Sequence, residues 1–381
     1  MKKLFLPSTL VLLLLLTVGC ASQKTPAPEV PKEVVAGPIK EAWQIEWEKL
    51  LSEAKKEGRV SVYGAAWGDM GRLLQNAFKK AYPGLELEYI GLEGRNLSPK
   101  VMSERRGGIY LVDIIIAGTT TIITTFKEMA VPVEPLLILP ETKDTRFWLD
   151  GKHEFADSEG KLNLVFINTV LNPVIYNTQL VDSRKLEGAS YWEFTKPEWK
   201  DKLVMNDPLS AGAGLAMATF FYTTPGLGLD YLKALSKNGV VVFRDHRIMA
   251  EWVGRGKYLA ELSPTTVEPR VLIREGMPIA YVEHMKEGTV VTASSGSLMF
   301  VDKAPHPKAA RVFLNWFLGK EAQYIVSKES QLPSRRIDIP RDHLDQKAIP
   351  KPGRIYQPNH LEQYVNMRDD IVRQLQDVYG R

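Results

Sequence analysis

The run Arg59-Val60-Ser61-Val62-Tyr63-Gly64-Ala65-Ala66-Trp67-Gly68-Asp69-Met70 decides the fold class of this chain. Arg59 to Tyr63 alternates polar and apolar side chains, the period-two signature of a strand, and Gly64 to Gly68 forms a turn of small residues around one tryptophan. Met70, Leu73, Leu74, Ala77 and Phe78 then recur at helical spacing until Pro83-Gly84 breaks the pattern. Working outward, Trp43, Trp47, Leu50, Leu51 and Ala54 share one face of an upstream helix that Gly58 stops. On the other side Leu85 to Ile90 reads as a strand, Ser98-Pro99 as a helix start, and Asp113 to Ala117 as a short buried strand entering Gly118-Thr119-Thr120-Thr121. Strand, helix, strand, helix, strand in that order predicts an α/β sheet covered by helices on both faces. Ligands bind such sheets beyond the carboxyl ends of the strands.

A second block of the same kind begins near Asn172-Pro173. Val174-Ile175-Tyr176 reads as a strand, and Trp192 to Asp207 leads to Ser210-Ala211-Gly212-Ala213-Gly214 and a helix through Tyr222. Helix 229–236, strand 240–243, helix 246–253 and strand 278–282 follow. Thr289 to Thr292 and Leu298 to Val301 are expected strands, and Pro307 and Lys320 open two helices. After a proline-marked stretch, Leu361, Tyr364, Val365, Ile371, Val372, Leu375 and Tyr379 form one amphipathic stripe.

With 381 residues, 44% hydrophobic and 25% charged, the composition is that of a folded protein of two or three domains, neither a disordered tail nor a multi-span membrane protein. The net charge of +4 includes Lys2 and Lys3 at the extreme N-terminus, and the near-neutral remainder carries no nucleic-acid footprint. The single cysteine, Cys20, excludes an internal disulfide framework and a cysteine-based zinc cluster. It follows a cationic start and an apolar stretch from Leu4 to Leu16, interrupted at Pro7, Ser8 and Thr9 and too short for a bilayer. Residues 1–20 therefore read as a signal peptide, and 21–42, with Pro26, Pro28, Pro31 and Pro38, as a flexible tether.

The end of that signal resembles a bacterial lipoprotein signal, in which the cysteine is lipidated; an ordinary secretory peptide or a buried thiol are the alternatives. More of the chain carries a second resemblance. Tyr176-Asn177-Thr178-Gln179-Leu180-Val181, Trp192 followed by Pro197-Glu198-Trp199-Lys200-Asp201-Lys202-Leu203, and Ala304-Pro305-His306-Pro307-Lys308-Ala309-Ala310 running into Leu314-Asn315-Trp316-Phe317-Leu318 and Gly319-Lys320-Glu321-Ala322-Gln323 are its most specific parts. Together these resemble the extracellular solute-binding family 1, type 2 periplasmic binding proteins of ABC importers, in the branch that contains ferric-ion-binding proteins. The resemblance implies two α/β lobes joined by a two-stranded hinge, with crossings near Asn168 to Tyr176 and Lys286 to Thr292. It places 43–170 plus 289–331 in lobe 1 and 171–288 plus 332–381 in lobe 2, and puts a ligand in the cleft between them.

Iron-binding members of that branch use two adjacent tyrosines, a histidine and a carboxylate. Here the histidine position is Trp67, the carboxylate position is Gly118, the tyrosine pair falls near Thr266-Val267, and no Tyr-Tyr pair occurs in the chain. An aromatic wall with room for carbon suits an organic ligand. Trp67 is expected to stack on it, or else to fold back on the core. Thr119 and Thr120 are expected to donate hydroxyls, or simply to cap a helix. Ser210, Gly212 and Ala213 form a small-residue helix start whose free amides favour an anion, the alternative being a tight cap chosen for packing.

Arg244, His246 and Arg247 surround another helix start and could pair with a carboxylate or phosphate, although solvated surface charge is the commoner fate of such residues. Tyr176 lies on the expected crossing and faces either the cleft or the core. Tyr281, Glu283 and His284 sit near the second crossing, too few for a metal. No His-Glu-x-x-His, Gly-x-Ser-x-Gly, Walker A or calcium-loop sequence occurs, so catalysis has no recognisable constellation. The sequence thus predicts a lipid-anchored, monomeric binding protein on the outer face of the cytoplasmic membrane. It would take a small organic anion without cofactor or metal and deliver it to an ABC permease, with no nucleic-acid partner. Ferric iron with atypical ligands is the alternative, and an enzyme or adhesive lipoprotein on the same fold is the alternative of another class.

Overall fold

Three sheets organise the computed structural model, which describes residues 40–380 apart from 93 and 266. The expected signal peptide, Cys20 and the tether up to residue 39 lie outside the described residues. Contacts divide the chain into Met1–Lys40 and the compact body Glu41–Arg381, which the account below concerns.

The first sheet has seven strands, in the order Glu86–Gly91, Arg59–Gly64, Ile114–Ala117, Ser297–Val301, Leu164–Val165 and Glu154–Phe155, with Ala130–Val131 also paired to Ser297–Val301. Arg59–Gly64 runs parallel to both neighbours, while Ser297–Val301 returns antiparallel. Strand alternation explains its core. Ile114 and Ile116 project into a cluster with Phe78 and Phe313, whereas Ile115 and Ala117 project into another with Tyr63, Phe126 and Met299. Because both faces are covered, the whole run Ile114–Ala117 is apolar and buried. Each such large side chain withdrawn from water stabilises the fold by about 1.5–3 kcal/mol.

Helices Ala42–Glu57, Met70–Ala81 and Pro307–Phe317 form where the spacing predicts them, the first stopped by Gly58 in a left-handed conformation at φ 76°. The helix expected to open at Ser98-Pro99 instead begins at Gly94 and runs to Arg106, with Pro99 inside it. Asp113 sits at the start of its strand, fully buried. Its carboxylate accepts from the Ser61 amide at 2.8 Å, the His306 amide at 2.7 Å and His306 Nδ1 at 3.0 Å, tying the first strand to the start of helix Pro307–Phe317.

The second sheet has five strands, in the order Val241–Phe243, Leu203–Asn206, Ala260–Leu262, Val174–Asn177 and Ile279–Tyr281. The first three are parallel, so the loops that leave their carboxyl ends are neighbours. Helix Ala213–Thr223 covers one face and His246–Gly254 the other.

A third, small sheet connects the two. Thr169–Val170 and Thr289–Thr292, paired antiparallel, carry the chain between the first two sheets, and Tyr356–Pro358 adds a third strand parallel to Thr289–Thr292. The expected pair of hinge strands is thus joined by one from the C-terminal segment. That segment also departs from its expected place on the second lobe. Ser334 and Arg336 bridge Ile167 and Trp148 of the first lobe, and the buried Arg335 and Arg336 find their partners there in Glu154 and the Leu318 carbonyl. A buried guanidinium needs a carboxylate or carbonyls around it, and the first lobe supplies both. Beyond the hinge strand, Glu362 returns to the first lobe, accepting from Lys127 Nζ and the Ser158 amide. The final helix, Arg368–Tyr379, packs on the second lobe's helices Ala213–Thr223 and Gly228–Lys237. The amphipathic stripe at the C-terminus is therefore two helices, Glu362–Asn366 and Arg368–Tyr379, that serve different lobes.

Candidate functional site

Loops at strand carboxyl ends supply the polar groups of each lobe. On the first lobe, Arg59–Gly64 leads into the Trp67 turn and the adjacent strand Ile114–Ala117 into Thr119 and Thr120. Trp67 is half-buried, its ring packed against the first core, and with Ala65, Arg72 and Tyr89 it lines a cavity of about 200 Å³. Thr119 is buried. Thr120 is half-buried, and its hydroxyl accepts from Arg368 Nη1 at 2.6 Å.

On the second lobe, the three parallel strands deliver Asn206-Asp207, Arg244-Asp245 and Ser263 side by side. Asn206 builds the corner. Its side-chain oxygen accepts from the Gly214 amide at 3.0 Å, its amide nitrogen donates to the Phe243 carbonyl at 3.2 Å, and its backbone amide donates to Ser263 Oγ at 3.1 Å. One of the free amides expected at this helix start is therefore spent on the protein itself. Gly212 adopts φ 125°, a conformation that side-chain-bearing residues rarely reach, and hands the chain to Ala213, the first residue of the helix. A methyl added at Gly214 would meet the Asp207 carbonyl at 2.2 Å, so this close approach of backbone to backbone requires glycine.

Asp207 collects the surrounding donors, accepting from the Leu209 amide at 2.9 Å, Ser210 Oγ at 2.8 Å and Arg244 Nε at 2.8 Å. Burial alone would lift its carboxyl, but these donors together hold it below the usual carboxylate range. With Leu209, Val242, Gln376 and Tyr379 it lines a separate cavity of about 370 Å³. Ser210 and Arg244 are thus oriented by Asp207.

The remaining expected residues divide. His246 is half-buried beside this corner, with Nδ1 lacking a partner among the described residues. Arg247 lies exposed on the surface, its charge answered by Glu251 at 3.0 Å and Glu275 at 3.7 Å. Tyr176, expected on the crossing, is a core residue. It is one pleat from Ile175, so its ring falls on the sheet face toward helix Ala213–Thr223 and packs among Leu203, Met217 and Phe220. Tyr281 is buried on the opposite face, and His284 pairs with Glu187 at 3.1 Å outside the corner.

Sequence reasoning missed Asn206, Asp207 and Ser263; Asn206 and Asp207 close the apolar run Leu203-Val204-Met205, a usable signal, whereas Ser263 follows a strand without an apolar pattern. It also missed Arg368, about which no local pattern speaks, since its partner Thr120 lies 248 residues earlier. Among the described residues no group of three or more His, Cys, Asp or Glu side chains converges as a metal site would require.

Several solved structures share this architecture. The Trichodesmium protein IdiA (FutA), solved with iron and citrate, is 17% identical, covers 85% of this chain and 100% of its own, and superposes with a TM-score of 0.63. AfuA of Actinobacillus pleuropneumoniae, solved with fructose 6-phosphate, is also 17% identical, covering 84% of this chain and 98% of its own at a TM-score of 0.58. Iron-bound HitA of Pseudomonas aeruginosa is 16% identical, covering 84% and 99% at a TM-score of 0.59. At such identities the likeness is one of fold, that of two-lobed type 2 binding proteins. No curated protein matches the chain in sequence. The family model described as bacterial extracellular solute-binding protein matches residues 64–324, about two thirds of the chain, and the chain belongs to that family.

Proposed function

We propose that this substrate-binding component of an ABC importer captures a small organic anion, a carboxylate or a phosphorylated or phosphonate compound, between its lobes. What supports the reading is that Thr119 and Thr120 follow a strand end of the first sheet, while Ser210, Gly212 and Ala213 follow a strand end of the second, with the small third sheet between the two. A solute that touches both sets gains its full contacts only when the lobes close, so binding shifts the population toward the closed form. Family and structural neighbours are solute-binding proteins rather than enzymes, and no bond is made or broken in this cycle. The closed lobes then dock on the permease.

Iron is the weaker reading, because the positions of its usual ligands hold Trp67 and Gly118 and no two adjacent tyrosines occur in the chain. We further propose that Cys20 carries a lipid that holds the protein, as a monomer, at the outer face of the cytoplasmic membrane, with the residues between Cys20 and helix Ala42–Glu57 as a tether. Family membership supports an envelope location, and no described helix is long and apolar enough to cross a membrane.

Native mass spectrometry of the purified protein, with metal analysis of the same sample, tests the ligand class. A copurifying organic anion is expected; stoichiometric iron held by protein oxygens would contradict it. Thermal shifts against a solute library then identify the ligand, and at free ligand about 100 times the dissociation constant the gain is about 2.7 kcal/mol.

A further inference from the structure

The guanidinium groups nearest the second lobe's corner already have carboxylate partners. Arg244 is held by Asp207 and Arg247 by Glu251 and Glu275. Arg368, at the start of the final helix, is different. Among the described residues it makes no ion pair. Its Nη1 donates to Thr120 Oγ1 at 2.6 Å and its Nη2 to the Asn359 carbonyl at 3.0 Å, while its buried Nε has no acceptor. Of the five N–H donors of a guanidinium, two are therefore answered, both by neutral oxygens.

The position of this cation is fixed from three sides. Thr120 belongs to the first lobe's strand-end loop. Asn359 donates through its side chain to the Ala216 carbonyl, in the first turn of the second lobe's helix Ala213–Thr223, at 2.6 Å, and through its backbone to the hinge carbonyl of Val291 at 3.2 Å. The guanidinium thus stands where the two lobes and the hinge meet, beside the residues expected to bind the solute.

We infer that Arg368 is the charge-reading residue of this binding protein, supplying the cation that pairs with a carboxylate or phosphate group of the solute. The inference rests on the anion reading above and deepens it by naming the residue. A half-buried guanidinium without a counter-charge is costly, and burial depresses its basicity with no carboxylate to oppose the effect. An oxyanion entering beside Thr120 relieves that cost with charge-assisted, fork-shaped hydrogen bonds, whereas a neutral solute of the same shape leaves it standing. Selection between charged and neutral solutes therefore follows from one side chain. Because that side chain belongs to the helix riding on the second lobe while its hydroxyl partner belongs to the first, the pairing also registers closure.

The test uses the full mature chain and four probes: citrate, fructose 6-phosphate, inorganic phosphate, and fructose as the neutral control. Calorimetry and thermal shift are measured on the wild type, Arg368→Gln and Arg368→Lys, with circular dichroism to establish folding. At least one oxyanion should stabilise the wild type while fructose does not. Arg368→Gln should weaken that binding about 10- to 100-fold. Arg368→Lys, which keeps the charge and loses the fork, should fall between and serves as the readout if the glutamine variant does not fold. Equal oxyanion affinity in wild type and folded variants would overturn the role of Arg368 and leave the anion reading intact. A response to fructose alone, or to none of the oxyanions, would overturn both.

Discussion

Lys127 Nζ lies 2.8 Å from each carboxylate oxygen of Glu362, a residue 235 positions further along the chain that also accepts the Ser158 amide at 2.6 Å. This contact pins the C-terminal segment to the first lobe just before the final helix departs for the second. The segment from Ser334 onward is therefore a strap across both lobes, fastened at Arg335, at the hinge strand Tyr356–Pro358 and at Glu362.

Glu362→Gln should loosen the strap without disturbing either sheet. Losing a charge-assisted pair at a mostly buried carboxylate costs about 1.5–3 kcal/mol. Urea unfolding should report that loss, and hydrogen exchange should accelerate in 359–380 while strand Arg59–Gly64 keeps its protection. Unchanged stability with unchanged exchange would mean that the strap is held elsewhere.

Glu261 gives a pH dependence of known sign. Its carboxyl is fully buried on the central strand Ala260–Leu262, Oε2 has no partner among the described residues, and burial, aided by the nearby Glu268, raises its pKa well above the usual carboxylate range. A raised acid binds more protons folded than unfolded. Its penalty is absent below the ordinary carboxylate pKa of about 4.3 and grows as pH rises from there toward the folded value. Glu261→Gln should therefore be more stable than wild type at pH 7, and the difference should shrink toward zero near pH 4. A variant less stable at neutral pH would show that the carboxylate is stabilising.

Asn206 and Gly214 test the corner of the second lobe. Asn206→Ala leaves the Gly214 amide without its acceptor, while the Phe243 carbonyl keeps the Asp207 amide, at a cost of about 1–3 kcal/mol in stability. Gly214→Ala cannot keep the loop where it is, because the new methyl collides with the Asp207 carbonyl. Both should weaken solute binding at least as much as they lower the melting temperature, since Ser210 and Arg244 are positioned through Asp207. Full affinity in a destabilised Gly214→Ala protein would remove this corner from the site.

How much of this was legible in the sequence follows from distance along the chain. Strands with an apolar period and helices with glycine or proline stops declared themselves, as at Ile114–Ala117 and Ala42–Glu57. The central strand Ala260–Leu262 did not, because Glu261 interrupts an already short run and only burial by the neighbouring strands makes it a strand. Two-residue strands such as Thr169–Val170 exist only through their partner and carry no pattern of their own. In the site, the small-residue helix start at Ser210 to Gly214 was readable from local chemistry. That Arg244 and Arg247 are answered by carboxylates while Arg368 is not was illegible, because it depends on Asp207, Glu251 and Glu275 being placed by the fold.

The central claim, two lobes that close about the hinge formed by Thr169–Val170 and Thr289–Thr292, is tested most directly by a distance between them. Lys80 on helix Met70–Ala81 and Lys237 on helix Gly228–Lys237 are exposed on opposite lobes and can be replaced by cysteines for fluorescent labels in a chain lacking Cys20. Single-molecule energy transfer between them should show two populations, the shorter one filling as the copurified solute is returned to stripped protein. One unchanging distance at every solute concentration would contradict the account.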